Sequence, residues 1–125
     1  MATKISTNNA PAAIGPYSQA MVVGNMVFTS GQIAINPASG NIEAQDVVGQ
    51  TEQVMKNLGE VLSSAGSSFE KAIKTTCFLA DMSDFAAFNE VYAEYFTGKP
   101  ARSCVAVKTL PKNVLCEVEV IAYLG

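Results

Sequence analysis

Pro100-Ala101-Arg102-Ser103-Cys104-Val105-Ala106-Val107, a polar turn at Leu110-Pro111-Lys112-Asn113, and Val114-Leu115-Cys116-Glu117-Val118-Glu119 together decide how this chain is read. Two β-rich runs around a turn predict a hairpin with a longer loop. Pro111 suits the first corner of that turn, and Asn113 tolerates the left-handed dihedrals that follow. Strand side chains alternate between faces, so Glu117 and Glu119 share one face with Leu115, Ile121 and Tyr123. Two carboxylates on an otherwise apolar strand face, with Arg102 on the predicted partner strand, form a candidate site for a small anion.

Working outward, Met21-Val22-Val23 and Met26-Val27-Phe28-Thr29 flank Gly24-Asn25, and predict a hairpin closed by a II′ turn. Residues 1–15 are small and polar and predict an arm or loop, and Gln32 to Ile35 predicts a short strand before the turn cluster at 36–41. From Asp46 the period changes. Val47, Val48, Thr51, Val54, Met55, Leu58, Val61, Leu62 and Ala65 recur at helical spacing, with Asp46 as N-cap and Gly66 as terminator. Ile73 to Ala80 predicts a strand. A second helix follows, capped by Ser83, with Phe85, Phe88, Val91, Tyr92, Tyr95 and Phe96 on one side and Gly98 and Pro100 at its end. No linker, repeat or low-complexity run divides the order, so residues 1–125 predict a single α+β domain. The expected architecture is a two-layer sandwich, one mixed β-sheet with both helices packed on one face.

Composition narrows the chemistry. Hydrophobic residues make up 49% of the chain and charged ones 15%, which leaves little charge to cover a monomer and predicts a buried subunit interface. The net charge is −3 and the eight Lys and Arg are scattered, the opposite of a nucleic-acid footprint. No apolar window is long enough to span a membrane, and the N-terminus lacks a signal-peptide core, so the expected location is cytoplasmic. There is no histidine, which removes Ser-His-Asp and Cys-His hydrolases and the commonest metal-ligand sets. Cys77, Cys104 and Cys116 fall in apolar strand patterns and read as small hydrophobes.

Arg102-Ser103-Cys104-Val105, Leu110-Pro111 and Glu117-Val118-Glu119 resemble the signature of the reactive intermediate deaminase (Rid) family, also called YjgF. The resemblance continues through Gly15-Pro16-Tyr17-Ser18-Gln19-Ala20, Thr29-Ser30-Gly31-Gln32 and Asn89-Glu90-Val91-Tyr92, and so covers essentially the whole chain. It implies a chorismate-mutase-like fold assembled as a homotrimer with sites at subunit interfaces. It also implies hydrolysis of 2-imino acids such as 2-iminobutanoate and 2-iminopropanoate, products of pyridoxal-phosphate dehydratases, to 2-keto acids and ammonia, a metabolite-damage-control role beside isoleucine biosynthesis.

By the same resemblance, Arg102 holds the substrate carboxylate and Glu117 positions or activates the attacking water. Tyr17, Ser30, Gly31, Asn89 and Cys104 line the substrate site, and neither metal nor cofactor is required. Read from sequence alone, Arg102 serves equally as a structural ion-pair partner of Glu117 or Glu119, and Tyr17 and Asn89 as ordinary loop and helix residues. Ser30-Gly31 offers a hydroxyl and backbone N–H groups to an anion. Cys104 lacks a neighbouring base and is not a nucleophile, and Glu119 reads as structural or peripheral. The chain departs from the pattern at Gln32-Ile33-Ala34, where relatives often carry proline in the third place. Two rival functions are a keto-acid-binding regulatory module, which needs Arg102 but not Glu117, and the ribonuclease or chaperone-like activity suggested for some relatives.

Overall fold

β6 (Cys116–Tyr123) alternates buried and half-exposed residues along nearly its whole length, and that alternation orders everything around it. The computed structural model, which describes residues 1–125, places β6 inside a six-stranded sheet of order β1-β2-β3-β6-β4-β5. β1 is Thr3–Ile5, β2 Ala20–Val23, β3 Met26–Thr29, β4 Ala72–Leu79 and β5 Ala101–Ala106. All neighbouring pairs are antiparallel except β4 and β5, so the sheet is mixed. Val118 and Val120 of β6, Val27 of β3 and Cys77 and Leu79 of β4 turn to one side, where α1 (Val47–Ser64) and α2 (Phe85–Tyr95) bury them in one apolar cluster. The α+β sandwich expected from the sequence is therefore present.

The caps explain the boundaries of α1. The Asp46 carboxylate accepts from the Gly49 N–H at 2.9 Å, satisfying one of the helix's first free donors. At the other end Gly66 takes φ +86°, and the Ser67 N–H reaches back to the Leu62 carbonyl at 2.8 Å. Val48 is the one member of the predicted stripe that faces solvent. The β2–β3 connection is the expected two-residue turn, with Gly24 at φ +57° and Val23 paired to Met26.

Four expectations are corrected. Arg102 and Glu117 do not lie on the two strands of one hairpin. β5 pairs with β4 in parallel, and β6 pairs with the opposite edge of β4. The physical reason is the run β4–α2–β5: a strand, a crossing helix and a strand lay their strands parallel and adjacent. Ala106 and Cys116 thus flank the same residue, Leu79, and residues 107–115 bridge the end of β4 instead of closing a hairpin. That bridge holds Lys112 and Asn113 at positive φ, as expected for Asn113. The polar N-terminal arm contains β1, added to the exposed edge of β2. Gln32 to Ile35 is no continuous strand, only two isolated bridges, Gln32 to Val118 and Ile35 to Ile42. The cap before α2 is Asp81, which accepts from the Ser83 N–H at 2.8 Å and nucleates a 3-10 turn leading into the helix.

The sheet's other face carries no helix. Register joins Met21, Phe28 and Ile121 in one row and Val23, Met26 and Tyr123 in the next, with Phe78 and Val105 beyond. Phe28, Val23, Tyr123 and Val105 are each at least 40% exposed, a broad apolar surface for so small a protein. No helix is long and apolar enough to cross a membrane.

Because the Asp46 cap satisfies an otherwise free helix donor, Asp46→Ala is expected to lower stability by about 1 kcal/mol. Urea unfolding should show a lower midpoint with an unchanged slope.

Candidate active site

A cleft of about 400 Å³ opens beside the end of β3, lined among others by Tyr17, Ser30, Gly31, Ile35, Pro111 and Glu117. Its lip is built by Gln19, a buried amide. Gln19 Oε1 accepts from the Thr7 N–H at 2.7 Å, and its Nε2 donates to the carbonyls of Thr7 at 3.1 Å and Pro11 at 2.7 Å. With a longer contact from Nε2 to the Ala10 carbonyl at 3.4 Å, four bonds to one side chain fold the arm back over β2 and hold Pro11 and Ala12 against the opening. Tyr17 stands at the mouth, nearly half exposed, its hydroxyl accepting from the Ile14 N–H at 3.4 Å.

Ser30 is more committed than its sequence context suggests. Its N–H donates to the Gln19 carbonyl at 2.9 Å and its hydroxyl to the Ser18 carbonyl at 2.6 Å, so neither donor is free for an anion. The Gly31 N–H, by contrast, meets no acceptor within the chain. Gly31 also lets Glu117 lie close: a Cβ there would stand 2.8 Å from the Glu117 Cδ and make its carboxylate swing away.

Glu117 is half-buried at the cleft wall. Burial pushes its carboxyl above the ordinary carboxylate range, and the charge of Glu119, which lines the same cleft, pushes it further. No lysine or arginine lines this cleft.

Arg102 lies elsewhere. It pairs in register with the buried Thr75, on the helix-covered face, whereas Glu117 and Glu119 point to the uncovered one. Its guanidinium donates to Asn89 Oδ1 at 2.6 Å and sits 4.8 Å from the Tyr92 ring centre and 5.4 Å from that of Phe85. The Tyr92 hydroxyl is itself held to Thr75 Oγ1 at 2.7 Å, so the aromatic support is fixed. A second cavity of about 500 Å³ opens here, lined among others by Asn89, Tyr92, Lys99 and Arg102. Asn89 is thus no free surface residue, and the partner of Arg102 is a neutral amide. The ion pair between Arg102 and Glu117 or Glu119 does not form within the chain.

Cys104 shares the face of Arg102 beside Cys77. Burial raises its thiol, and raises Cys77 to about 12 and Cys116 to about 11, so all three are poor nucleophiles at neutral pH.

The candidate residues therefore fall into two groups. Tyr17, Ser30, Gly31 and Glu117 surround one cleft, while Asn89, Arg102 and Cys104 stand together on the other face of the sheet. Sequence reasoning overlooked Gln19 and the platform role of Tyr92. A buried glutamine beside Gly-Pro-Tyr-Ser was the available signal for the first; the second was hidden in an ordinary apolar helix stripe.

Since Glu119 contributes to the raised Glu117 carboxyl, Glu119→Gln should lower the Glu117 titration midpoint and still leave it above an exposed glutamate. Carboxyl carbon chemical shifts followed against pH measure this, and an unmoved midpoint would refute the coupling.

The family described as Endoribonuclease L-PSP matches residues 7–124. A RutC family protein of Pyrococcus horikoshii, PH0854, is 54% identical over 120 residues, covering 95% of each chain. The 2-iminobutanoate/2-iminopropanoate deaminase of Mus musculus is 48% identical over 122 residues, which is 97% of this chain and 90% of the mouse protein. Among solved structures, E. coli TdcF with bound serine superposes with a TM-score of 0.92 at 46% identity, covering 97% of this chain and 98% of TdcF.

Proposed function

The chain belongs to the Endoribonuclease L-PSP family, the Rid or YjgF proteins, and from that premise we propose that it hydrolyses reactive 2-imino acids to 2-keto acids and ammonia. One observation carries the reading: two complementary groups are each left without a charged partner. Arg102 is steadied by an amide and two rings and has no carboxylate. Glu117 sits in a cleft with no cation. A 2-imino acid has a carboxylate for the first and an electrophilic carbon for water activated by the second.

The two groups face opposite sides of one sheet, so a site using both takes them from two copies of the chain. Contact between one face of a copy and a different face of the next is heterologous, and such contacts close into a ring where the rotation between copies divides the full turn. The uncovered apolar face supplies surface for that contact, and a homotrimer with its sites between subunits is the ring we propose. Cytoplasmic hydrolysis of 2-iminobutanoate and 2-iminopropanoate is the corresponding activity.

In this arrangement Arg102 grips the carboxylate with two N–H groups while a third bond stays on Asn89. The grip fixes the plane of the C=N bond. Glu117 takes a proton from water as its oxygen bonds to the imine carbon, and the C=N bond becomes the C–N bond of a carbinolamine. The same carboxyl returns that proton to nitrogen, then takes the hydroxyl proton of the carbinolamine and passes it to the amine as the C=O bond forms and the C–N bond breaks, and ammonia leaves. A carboxyl raised above its ordinary range serves both directions of transfer. Tyr17 and the Gly31 N–H border the space where the oxygen develops, and Cys104 lines the wall beside Arg102.

Phosphodiester cleavage, which the family description suggests, fits the cleft poorly. Two carboxylates and no cation repel a phosphate backbone. RNA cleavage by this chain is expected to stay at background in the preparation that hydrolyses imine.

Four measurements test the reading. Light scattering should give about three times 13.2 kDa. With a threonine dehydratase generating imine in the cuvette, Glu117→Gln should lose ~100- to 10,000-fold in rate. Arg102→Ala should lose both turnover and 2-oxobutanoate binding while each subunit still folds, and Arg102→Lys should rescue poorly. Mixing the two inactive variants through unfolding and reassembly should restore activity to roughly a quarter of sites, those pairing the intact Arg102 of one copy with the intact Glu117 of another. An Arg102→Ala protein with undiminished turnover refutes the assignment, and no recovery on mixing refutes the shared site.

A further inference from the structure

α1 carries polar side chains where a core helix would be expected to be apolar. Gln50, Gln53 and Asn57 fall at i, i+3 and i+7 on one stripe, and Gln50 and Asn57 are buried, at 4% and 1% exposure. Each buried amide ties down a segment that shapes the cleft. Gln50 Oε1 accepts from the Leu115 N–H at 2.8 Å, two residues before Glu117, and its Nε2 donates to the Ala44 carbonyl at 3.1 Å. Asn57 Nδ2 donates to the carbonyls of Ile33 at 3.0 Å and Ile35 at 2.9 Å. Gln53 Nε2 donates to Asn57 Oδ1 at 2.9 Å, which fixes the orientation of the Asn57 amide.

The segment so held is otherwise weakly secured. Between Gly31 and Ile35 the backbone makes one bridge, Gln32 with Val118, one contact from the Ile35 N–H to the Ile33 carbonyl, and the isolated pairing of Ile35 with Ile42. Ile33 and Ile35 both line the cleft. The Ala34 N–H makes no hydrogen bond, so nothing in the backbone itself stiffens this wall where a proline would. Both donors of a completely buried side chain are spent on two alternate carbonyls of one wall.

We propose that Asn57 is a positioning residue that sets substrate side-chain selectivity, holding Ile33 and Ile35 at the depth that admits short 2-imino acids and turns away branched ones. This rests on the imine reading for its substrates, but its structural half stands independently. A pocket wall discriminates by its fixed position, and a single methylene against a rigid apolar wall is worth roughly 10- to 200-fold. A wall released from Asn57 yields to the larger side chain and loses part of that factor.

The test uses Asn57→Leu, which keeps the size and removes both donors, assayed below the onset of melting at unchanged oligomer mass. Hydrogen exchange should quicken at least about fivefold in residues 31–36 and stay unchanged in β4 and α2, reporting local opening below the global unfolding limit. The ratio of kcat/KM for 2-iminopropanoate over 2-imino-4-methylpentanoate should shrink at least about fivefold, through a lowered KM for the branched substrate at nearly constant kcat. Adding Ala34→Pro, which stiffens the same wall by another route, should recover much of the ratio. Asn57→Asp carries the same comparison if the leucine variant does not fold, since it keeps shape and loses the paired donors. Unchanged exchange in 31–36 overturns the proposal, as does an equal fall in turnover for all imines with the ratio preserved, which marks a structural role only. If the wild type hydrolyses no imine, the functional reading fails. Exchange, with the Kd ratio of 2-oxopropanoate to 4-methyl-2-oxopentanoate, then still decides the role of Asn57.

Discussion

The two-residue period of a β-strand is the constraint on which the rest of this structure depends. Along β6 it sends Cys116, Val118, Val120 and Ala122 under the helices and leaves Glu117 and Glu119 on the other side. Along β5 it sends Arg102 to the helix side, where Asn89 and Tyr92 of α2 receive it. β6 cannot shift register by one residue without burying its carboxylates in the core and exposing its core valines, and the same slip in β5 would turn Arg102 away from Asn89 and Tyr92. The separation of the arginine from the carboxylates thus follows from the same alternation that builds the hydrophobic layer.

Around that layer, polar groups are used as fasteners. Gln19 fastens the arm, Gln50 the approach to β6, Asn57 the 33–35 wall, and Thr29 Oγ1 accepts from the Val120 N–H at 3.0 Å where β3 runs out. No buried side-chain nitrogen or oxygen is left without a partner. A loop-built cleft needs such fastening, because its walls have no ladder of their own and an unmet buried donor or acceptor costs about 1–3 kcal/mol. Specific amides therefore do for the cleft what apolar packing does for the sheet.

Much of this was legible in the sequence, and the illegible part has one cause. The β2–β3 hairpin, α1 with its two caps, the body of α2 and the three inert cysteines follow from local chemistry: turn residues, capping oxygens and periodicity. What period cannot tell is which strand lies beside which. Ala101–Ala106 and Cys116–Tyr123 read as a hairpin because they are adjacent in sequence, yet β4, thirty residues earlier, takes the place between them. β1 was missed because three residues, Thr3, Lys4 and Ile5, pairing at an edge are too few to show an alternation. The site followed the same rule: motifs marked Arg102, Glu117, Tyr17 and Asn89 as residues of interest, and only the pairing could assign them to two faces. Gln19 and Asn57 were hidden for a related reason, since an amide that bonds to distant backbone looks in sequence like any surface residue.

Leaving Glu117 without a cation has a thermodynamic sign that bears on assembly. Its folded-state carboxyl titrates above the ordinary range because burial, and then Glu119, disfavour the charge. Folding therefore favours the protonated form. The stability associated with that form is present below the ordinary carboxylate pKa and is lost as pH rises through the raised value. In its ionised form the Glu117 carboxylate of the lone chain is partly desolvated, and any contact that brings a cation to the cleft gains by relieving it. An arginine steadied by Asn89 and two aromatic rings, and itself lacking a carboxylate, is the cation this chain presents on its other face. The unfavourable state of one surface is complemented by the unpaired state of the other. The same two groups that would hold and hydrolyse a substrate would also favour the association that brings them together.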